Sequence, residues 1–276
     1  MEINNSTLII GRPNSGKTTF QAQLYTRIEA NNGKIKLARA PEDLTGIQKA
    51  CDRLANGLET EATPADENVE VVIPVSLNGN DYDLIFKDYG GEQVHQITNL
   101  LEYDKKWIKR AKSNDRWILF IRPLEIYHPY DLSAKGFIEI DQDEKSSENQ
   151  NELSDQYEFI ELLQALLHAR GTGIKSQIHS PKLLIVLTCW DELHTAITPL
   201  EELKKRLPLF HHFVDALWQD GSYQIIGLSA QGFPLNDDEA KRKYIEELPE
   251  SFGYLVLDNN SQESDLTRLI EIALNL

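Results

Sequence analysis

The sequence of 276 residues has few cysteines, little positive charge and no long apolar run. Its two cysteines, Cys51 and Cys189, exclude a disulfide framework and favour a reducing compartment. The 28 lysines and arginines are outnumbered by 44 aspartates and glutamates, so the formal net charge is −16. This charge disfavours nucleic acid and anionic membranes as partners, because both repel an acidic chain. Apolar stretches such as 183–187 have the length of a strand and cannot span a bilayer.

The N-terminal residues contain no basic segment followed by an apolar run, so we expect no signal peptide and a cytoplasmic protein. Apolar residues make up 41% of the chain, which is enough to build a core. Short apolar strands alternate with helical segments, a pattern typical of a mostly parallel α/β sheet. Turn residues at 78–81 separate two strand-like segments, 69–77 and 82–86, and predict one antiparallel hairpin within that sheet.

One segment, Gly11-Arg12-Pro13-Asn14-Ser15-Gly16-Lys17-Thr18, fits the phosphate-loop pattern G-x-x-x-x-G-K-[ST] and lies between a predicted strand and a predicted helix. Gly11 and Gly16 allow the backbone to curl, so that its N–H groups and the helix N-terminus point at phosphate oxygens. Lys17 would place a positive charge at the β- and γ-phosphates, and Thr18 would offer a hydroxyl to Mg²⁺. The other predicted phosphate contacts are Asn14, Ser15 and Thr19.

Asp88-Tyr89-Gly90-Gly91 fits the pattern D-x-x-G and follows the hairpin strand. Asp88 is placed to hold Mg²⁺, and the Gly91 N–H is placed to meet a γ-phosphate. An acidic turn is the alternative for a pattern this short, but its position after the hairpin favours the phosphate site.

Two segments after later strands predict a guanine pocket. Thr188-Cys189-Trp190-Asp191 is similar to the [NT]-K-x-D motif, in which the aspartate accepts hydrogen bonds from guanine N1–H and N2–H₂. Adenine offers no such donors, so a buried carboxylate would disfavour it. Ser229-Ala230-Gln231 is similar to the S-A-x loop, whose alanine N–H meets guanine O6. The predicted base contacts are Thr188, Asp191, Ser229 and Ala230.

With these motifs in this order, the chain resembles a Ras-like GTPase of the translation-factor-related (TRAFAC) clade, over about residues 6–122 and 180–232. Its phosphate loop is similar to that of the Era-like branch, and its tail, 253–267, resembles the double-GTPase-type domains of bacterial conflict operons. The resemblance implies Mg²⁺-dependent binding of GTP and its hydrolysis to GDP and phosphate. It also implies a switch that engages a protein effector or activator, with GTP-dependent dimerisation as one such engagement.

We expect one GTPase domain over residues 1–276, with a three-layer α/β/α fold of the P-loop NTPase type. Two segments are additions to that fold, a helical one at about 34–58 and an acidic one at about 123–180. Within the second, residues 139–158 contain eight acidic side chains against one lysine. This composition predicts a solvated, mobile insertion, with an acidic regulatory or docking element as the alternative.

The chain departs from the family pattern where water would attack. Switch I should supply a threonine to Mg²⁺ and the γ-phosphate; Thr60 and Thr63 both qualify, and Thr63 is preferred because it lies nearer the hairpin.

Glu92 replaces the glutamine that orients water in the family, and Gln93 lies beside it. At about 4 Å and a dielectric near 20, a carboxylate would repel the γ-phosphate by about 4 kcal/mol. The residues assigned to catalysis are Lys17, Thr63, Glu92 and Gln93, and those assigned to Mg²⁺ are Thr18, Thr63 and Asp88.

These departures leave two alternatives open. Cys189 occupies the place of the motif lysine, which should weaken guanine binding without removing the Asp191 contact. We expect a GTPase that is slow without an activator. Cys189 and Glu92 are the features that favour the first alternative, a GTP-binding interaction module with little or no turnover. A P-loop ATPase is the remaining alternative.

Overall fold

A computed structural model describes residues 6–30, 33–61, 70–87, 105–127, 154–173 and 176–276. The strands in this part of the chain are β1 Ser6–Gly11, β2 Lys36–Leu37, β3 Glu70–Leu77, β4 Asn80–Lys87, β5 Arg116–Ile121, β6 Lys182–Thr188, β7 Tyr223–Ser229, β8 Tyr254–Val256 and β9 Gln262–Glu263. The helices are α1 Lys17–Glu29, α2 Thr45–Ala55, α3 Lys105–Ser113, α4 Asp155–Arg170, α5 Pro199–Arg206, α6 Pro208–Leu217, α7 Asp238–Glu247 and α8 Thr267–Asn275. Pro208 is the first residue of α6 and separates it from α5.

The described strands form one sheet in the order β2-β3-β4-β1-β5-β6-β7-β8-β9. The five central strands, β4, β1, β5, β6 and β7, are mutually parallel, which confirms the predicted Ras-like α/β sheet. β3 pairs antiparallel with β4 in the predicted hairpin. A second antiparallel strand, β8, was not predicted. It has three residues and follows Gly253 at φ +91°, so it is too short to show a periodic pattern.

Two apolar cores lie on opposite faces of the sheet, and successive side chains of β1 point alternately into one and the other. Ile9 packs into the core beneath α1, α2, α7 and α8, whereas Leu8 and Ile10 pack into the core beneath α3, α4, α5 and α6. Because both faces are covered, the central strands are almost continuously apolar. No helix among the described residues is long and apolar enough to cross a membrane.

Residues 154–158, the end of the predicted solvated segment, form the cap and the start of helix α4, whereas residues 139–153 lie outside the described residues. The Ser154 hydroxyl accepts a hydrogen bond from the Tyr157 N–H and caps the helix, and Gly171 ends it in the left-handed region. Asp155 in the first turn is buried. A carboxylate at a helix N-terminus is stabilised by the helix dipole, so the end of the acidic run is ordered by its position on α4.

Leu163 tests the core beneath α4. It has no exposed surface, so Leu163→Ala should lower the free energy of unfolding by about 2–5 kcal/mol. Urea denaturation followed by tryptophan fluorescence measures the change. Leu209, whose surface is 64% exposed, gives the matched control, and Leu209→Ala should change stability by less than about 0.5 kcal/mol. Equal losses in the two variants would contradict this assignment of the core.

Candidate functional site

The three described motif segments lie at one edge of the sheet. Gly11 ends β1, Thr188 ends β6 and Ser229 ends β7, and the carboxyl ends of these parallel strands lie on the same side. β1 lies between β4 and β5, where the strand order changes direction. In open α/β sheets, ligands bind in the crevice at such a point. The fold therefore places the predicted phosphate loop at the position expected for a ligand.

The phosphate loop is a tight turn between β1 and α1. Asn14 and Gly16 are both left-handed, at φ +60° and +78°, and the Ser15 N–H donates to the Arg12 carbonyl at 3.3 Å. A Cβ on Gly11 would lie 2.7 Å from Ser15 Oγ and 2.8 Å from the Phe120 carbonyl oxygen. The loop thus packs against β5 so closely that only glycine fits at its first position.

Lys17 is held inside this loop. Its ammonium donates to the carbonyl oxygens of Gly11 and Arg12, each at 2.7 Å, and to Ser15 Oγ at 3.1 Å. Lys17 is only 4% exposed. All three acceptors are neutral oxygens of the loop itself, so the charge is positioned by the loop backbone. This arrangement brings a cation to the N-terminus of α1, where an anion is favoured.

The segment Thr188–Asp191 adjoins the phosphate loop. A Cβ on Gly16 would lie 3.6 Å from the Thr188 Cβ, and the Thr188 hydroxyl donates to the Ile121 carbonyl at 3.1 Å. Cys189 takes a left-handed conformation at φ +51°, and a short 3-10 turn follows. The buried Trp190 anchors that turn, while Asp191 stays half-exposed at the site.

Close packing fixes Trp190 on β7. A Cβ on Gly227 would lie only 2.6 Å from the indole ring, so the ring packs directly against a strand position that has no side chain. The sequence pattern did not identify this role, since Gly227 lies inside an otherwise apolar strand. A glycine within a strand is a signal of close approach by another group, and it was available in the sequence.

The segment Ser229–Gln231 is supported from β8. Ser229 Oγ accepts from the Gly232 N–H at 2.9 Å, and a Cβ on Gly253 would lie 2.6 Å from the Ala230 carbonyl oxygen. Tyr254, the residue after Gly253, pairs with Ser229 in the sheet. Burial raises the pKa of Tyr254, and the nearby Asp191 carboxylate raises it further. Tyr254 therefore lies between the two predicted base loops, a role that sequence reasoning missed.

The chain before the predicted switch I threonine contacts α1. Thr60 Oγ1 lies 2.7 Å from Thr19 Oγ1, so the structure brings Thr60, the less favoured candidate, to the end of the phosphate loop. Arg53 holds this segment by donating to the Glu59 carbonyl at 2.7 Å and to the Glu61 carboxylate at 2.9 Å. Thr18 is half-buried in the first turn of α1.

Five predicted residues fall outside the described part of the chain. They are Thr63, Asp88, Gly91, Glu92 and Gln93. Within the described ranges, no group of three or more histidine, cysteine, aspartate or glutamate side chains is arranged to hold a metal ion. The predicted metal site uses only one described residue, Thr18, so its assignment stays a prediction.

Arg12 has partners that sequence reasoning also missed. Its guanidinium pairs with Asp155 at 2.6 Å and with Glu158, and lies 4.9 Å above the ring of Phe159. All three partners are on the first turns of α4, more than 140 residues along the chain. The pattern gave no signal for this contact, because it depends on how α4 packs beside β1.

Comparison with known proteins places these features in a family. The family model described as Double-GTPase 1 matches residues 8–273. A comparison with curated proteins finds no match. The chain is similar in structure to the Arl6 (BBS3) small GTPase of Trypanosoma brucei, with bound nucleotide analogue GppNp (11% identity, TM-score 0.42, 88% of this chain and 95% of that chain). It is also similar to the GTP-bound GTPase-like domain of S. cerevisiae Ski7 (16% identity, TM-score 0.43), covering 82% of this chain and only 42% of the Ski7 chain.

Cys189 gives a test of this edge. Burial raises the pKa of its thiol to about 12, despite the opposing charge of Arg122. At pH 8 the thiolate fraction then lies far below that of an unfolded cysteine, whose pKa is about 8.5. We expect iodoacetamide to alkylate Cys189 at least about 100-fold more slowly in folded Cys51→Ser protein than in urea, by mass spectrometry. Rates within a few-fold of each other would indicate a reactive thiol, contrary to a role in the pocket wall.

Proposed function

The chain belongs to the Double-GTPase 1 family, and we propose that it binds GTP with Mg²⁺, hydrolyses it to GDP and phosphate, and acts as a nucleotide-controlled switch for a protein partner. The observation that carries the proposal is the phosphate loop at the switch point of the sheet, with the Lys17 ammonium held within it. This local device explains how a protein of net charge −16 could hold a triphosphate.

The phosphates would lie in the loop. Backbone N–H groups from Asn14 to Thr19 would donate to their oxygens, and Lys17 would exchange contacts with the loop carbonyls for contacts with the β- and γ-phosphates. Gly91 would donate to the γ-phosphate and so distinguish GTP from GDP. Loss of the γ-phosphate would release this contact and relax the switch segments.

At the loop, Thr18 would give Mg²⁺ one protein oxygen. Mg²⁺ is usually held by one or two protein oxygens together with phosphate oxygens and water. Thr18 follows Lys17 at the start of α1 and supports this choice, and Asp88 with Thr63 would complete the protein ligands. When bound, Mg²⁺ would neutralise charge on the β- and γ-phosphate oxygens.

The base would lie between the two loops after β6 and β7. Asp191 would accept from guanine N1–H and N2–H₂, and the Ala230 N–H would donate to guanine O6. The packing of Trp190 on Gly227 supports this assignment, because it anchors the turn that presents Asp191. Cys189 in place of a lysine removes one contact to the nucleotide, so we expect weaker binding than the full motif would give.

Hydrolysis would proceed by in-line attack of water on the γ-phosphate, with Glu92 or Gln93 placing the water. An arginine beside the γ-phosphate would speed this step. Arg39 pairs with Asp83 at 2.7 Å at the amino end of the parallel strands, away from the loop, whereas Arg53 holds the segment that precedes Thr63. An arginine supplied by a partner is the other route to fast turnover. Single-turnover assays with and without cell extract would separate a slow hydrolase from a binding module without turnover.

Lys17→Ala tests the phosphate site. Removing a desolvated charge that pairs with phosphate should weaken binding of a slowly hydrolysed GTP analogue at least about 100-fold. Fluorescence titration in Mg²⁺ measures the affinity, and thermal melting confirms folding. Lys182→Ala is the matched control, since the Lys182 ammonium also contacts a carbonyl, that of Gly221 at 3.2 Å, but at the other end of the sheet. Unchanged affinity in Lys17→Ala would overturn the assignment of the loop.

Asp191→Asn tests the base. An asparagine amide donates where the carboxylate accepts, so the variant should lose GTP and gain xanthosine triphosphate, whose C2 carbonyl replaces the guanine amino group. Competition titrations with GTP, xanthosine triphosphate and ATP measure the preference. Glu192→Gln, at a carboxylate that pairs with Arg122 instead, should leave it unchanged. If ATP competes equally with GTP in the unaltered protein, the ATPase alternative replaces this proposal.

A further inference from the structure

Arg12 anchors the phosphate loop to helix α4. Its guanidinium contacts the carboxylates of Asp155 and Glu158 and lies over the ring of Phe159. The Asp155 side chain is 8% exposed and the Arg12 side chain is 27% exposed, so this charge pair is partly removed from water. Charge-assisted hydrogen bonds in such a setting fix geometry more firmly than exposed ion pairs do.

Asp155 also joins two distant points of the chain. One carboxylate oxygen pairs with Arg12, while the other accepts from the Tyr127 N–H at 2.7 Å. The Asp155 N–H in turn donates to the Tyr127 carbonyl at 3.4 Å. Tyr127, which follows β5, and Asp155, at the start of α4, are thus joined by two hydrogen bonds, and we call this pair the Tyr127–Asp155 junction. Arg12 of the phosphate loop contacts the same carboxylate.

The other end of Arg12 reaches Lys17. The Arg12 carbonyl oxygen accepts from the Lys17 ammonium at 2.7 Å. A continuous series of contacts thus runs from the Tyr127 N–H through the Asp155 carboxylate and Arg12 to the Lys17 ammonium. Arg12 joins the two halves of this series, since its backbone carbonyl contacts Lys17 and its guanidinium contacts Asp155.

We propose that Arg12 is a positioning residue that couples nucleotide binding at the phosphate loop to the Tyr127–Asp155 junction. The inference rests on the proposed function and adds a route for its regulation. When Lys17 turns from the loop carbonyls to phosphate, the Arg12 carbonyl oxygen loses the hydrogen bond that it accepts from Lys17, and the anchored side chain of Arg12 transmits the change to Asp155. By thermodynamic linkage, a protein partner that binds at the junction changes the nucleotide affinity by the same factor as the nucleotide changes the affinity for that partner.

A purely structural ion pair is the alternative, and α4 carries one for comparison. At its other end, Arg170 pairs with Asp115 and donates to the carbonyls of Ala111 and Asn114, each at 2.9 Å. That pair lies at the opposite end of the helix and makes no described contact with the phosphate loop. Asp115→Asn therefore disturbs an arginine–aspartate pair of the same helix outside the proposed route.

Asp155→Asn separates coupling from simple anchoring. The asparagine carbonyl can still accept from Tyr127, but its amide would face the Arg12 guanidinium with a donor, so that link is lost while the junction is kept. Glu158→Gln weakens the anchor of Arg12 without touching the junction. The two variants thus remove different parts of the same network.

The experiment measures exchange of the Tyr127 amide hydrogen by NMR, with and without a slowly hydrolysed GTP analogue in Mg²⁺. In the unaltered protein and in Asp115→Asn, saturation with nucleotide should slow this exchange about five-fold or more. Glu158→Gln should keep the response and bind the analogue more weakly. Asp155→Asn should lose the response and bind the analogue about five-fold more weakly or worse. Thermal melting establishes that each variant is folded.

The outcomes separate the two proposals. If the unaltered protein binds no nucleotide, the proposed function fails and this inference fails with it. If it binds the analogue but Tyr127 exchange does not change, or changes equally in Asp155→Asn, the coupling is overturned and the proposed function stands. A response in Asp155→Asn no smaller than in Asp115→Asn would reduce Arg12 to a structural anchor.

Discussion

The candidate site depends on a buried ammonium held by the backbone that surrounds it. Lys17 contacts two carbonyl oxygens and one hydroxyl of its own loop, which requires left-handed residues at Asn14 and Gly16 and a glycine at position 11. A buried cation is costly unless its donors are satisfied, so the loop stabilises Lys17 as Lys17 orders the loop. The strand order of the sheet then places the segments after β6 and β7 at the same edge as this loop.

The remaining segments at this edge are positioned by close packing. Trp190 lies against Gly227, and Ala230 lies against Gly253, in each case at distances that leave no space for a side chain. Both contacts involve strand β7 or its C-terminal end, so this strand sets the spacing between the two predicted base loops. Because these loops are already held in place, less conformational entropy would be lost when a ligand binds to them.

The parts of this architecture that depend on local pattern could be predicted from the sequence. The parallel strands, the hairpin and the loop between β1 and α1 each follow from short-range periodicity or turn residues. Strand β8 and the anchoring of Arg12 by Asp155 could not, because both depend on contacts between segments far apart in the chain. The acidic run shows where prediction from composition stops. Its composition indicates solvation, yet its last residues form the first turn of α4 and are held there by the Ser154 cap and by Arg12.

The arrangement of cations in the phosphate loop explains how an acidic protein could bind an anionic ligand. Arg12 is paired with two carboxylates of α4, and the Lys17 ammonium is held by carbonyl oxygens of the loop. A site built this way attracts phosphate over a short range and leaves the long-range field acidic. Such a field disfavours polyanions such as nucleic acid, while a compact triphosphate can still be held where backbone donors converge. On the proposed function, this arrangement of charge would hold a small triphosphate at the loop while the acidic surface would repel a nucleic acid.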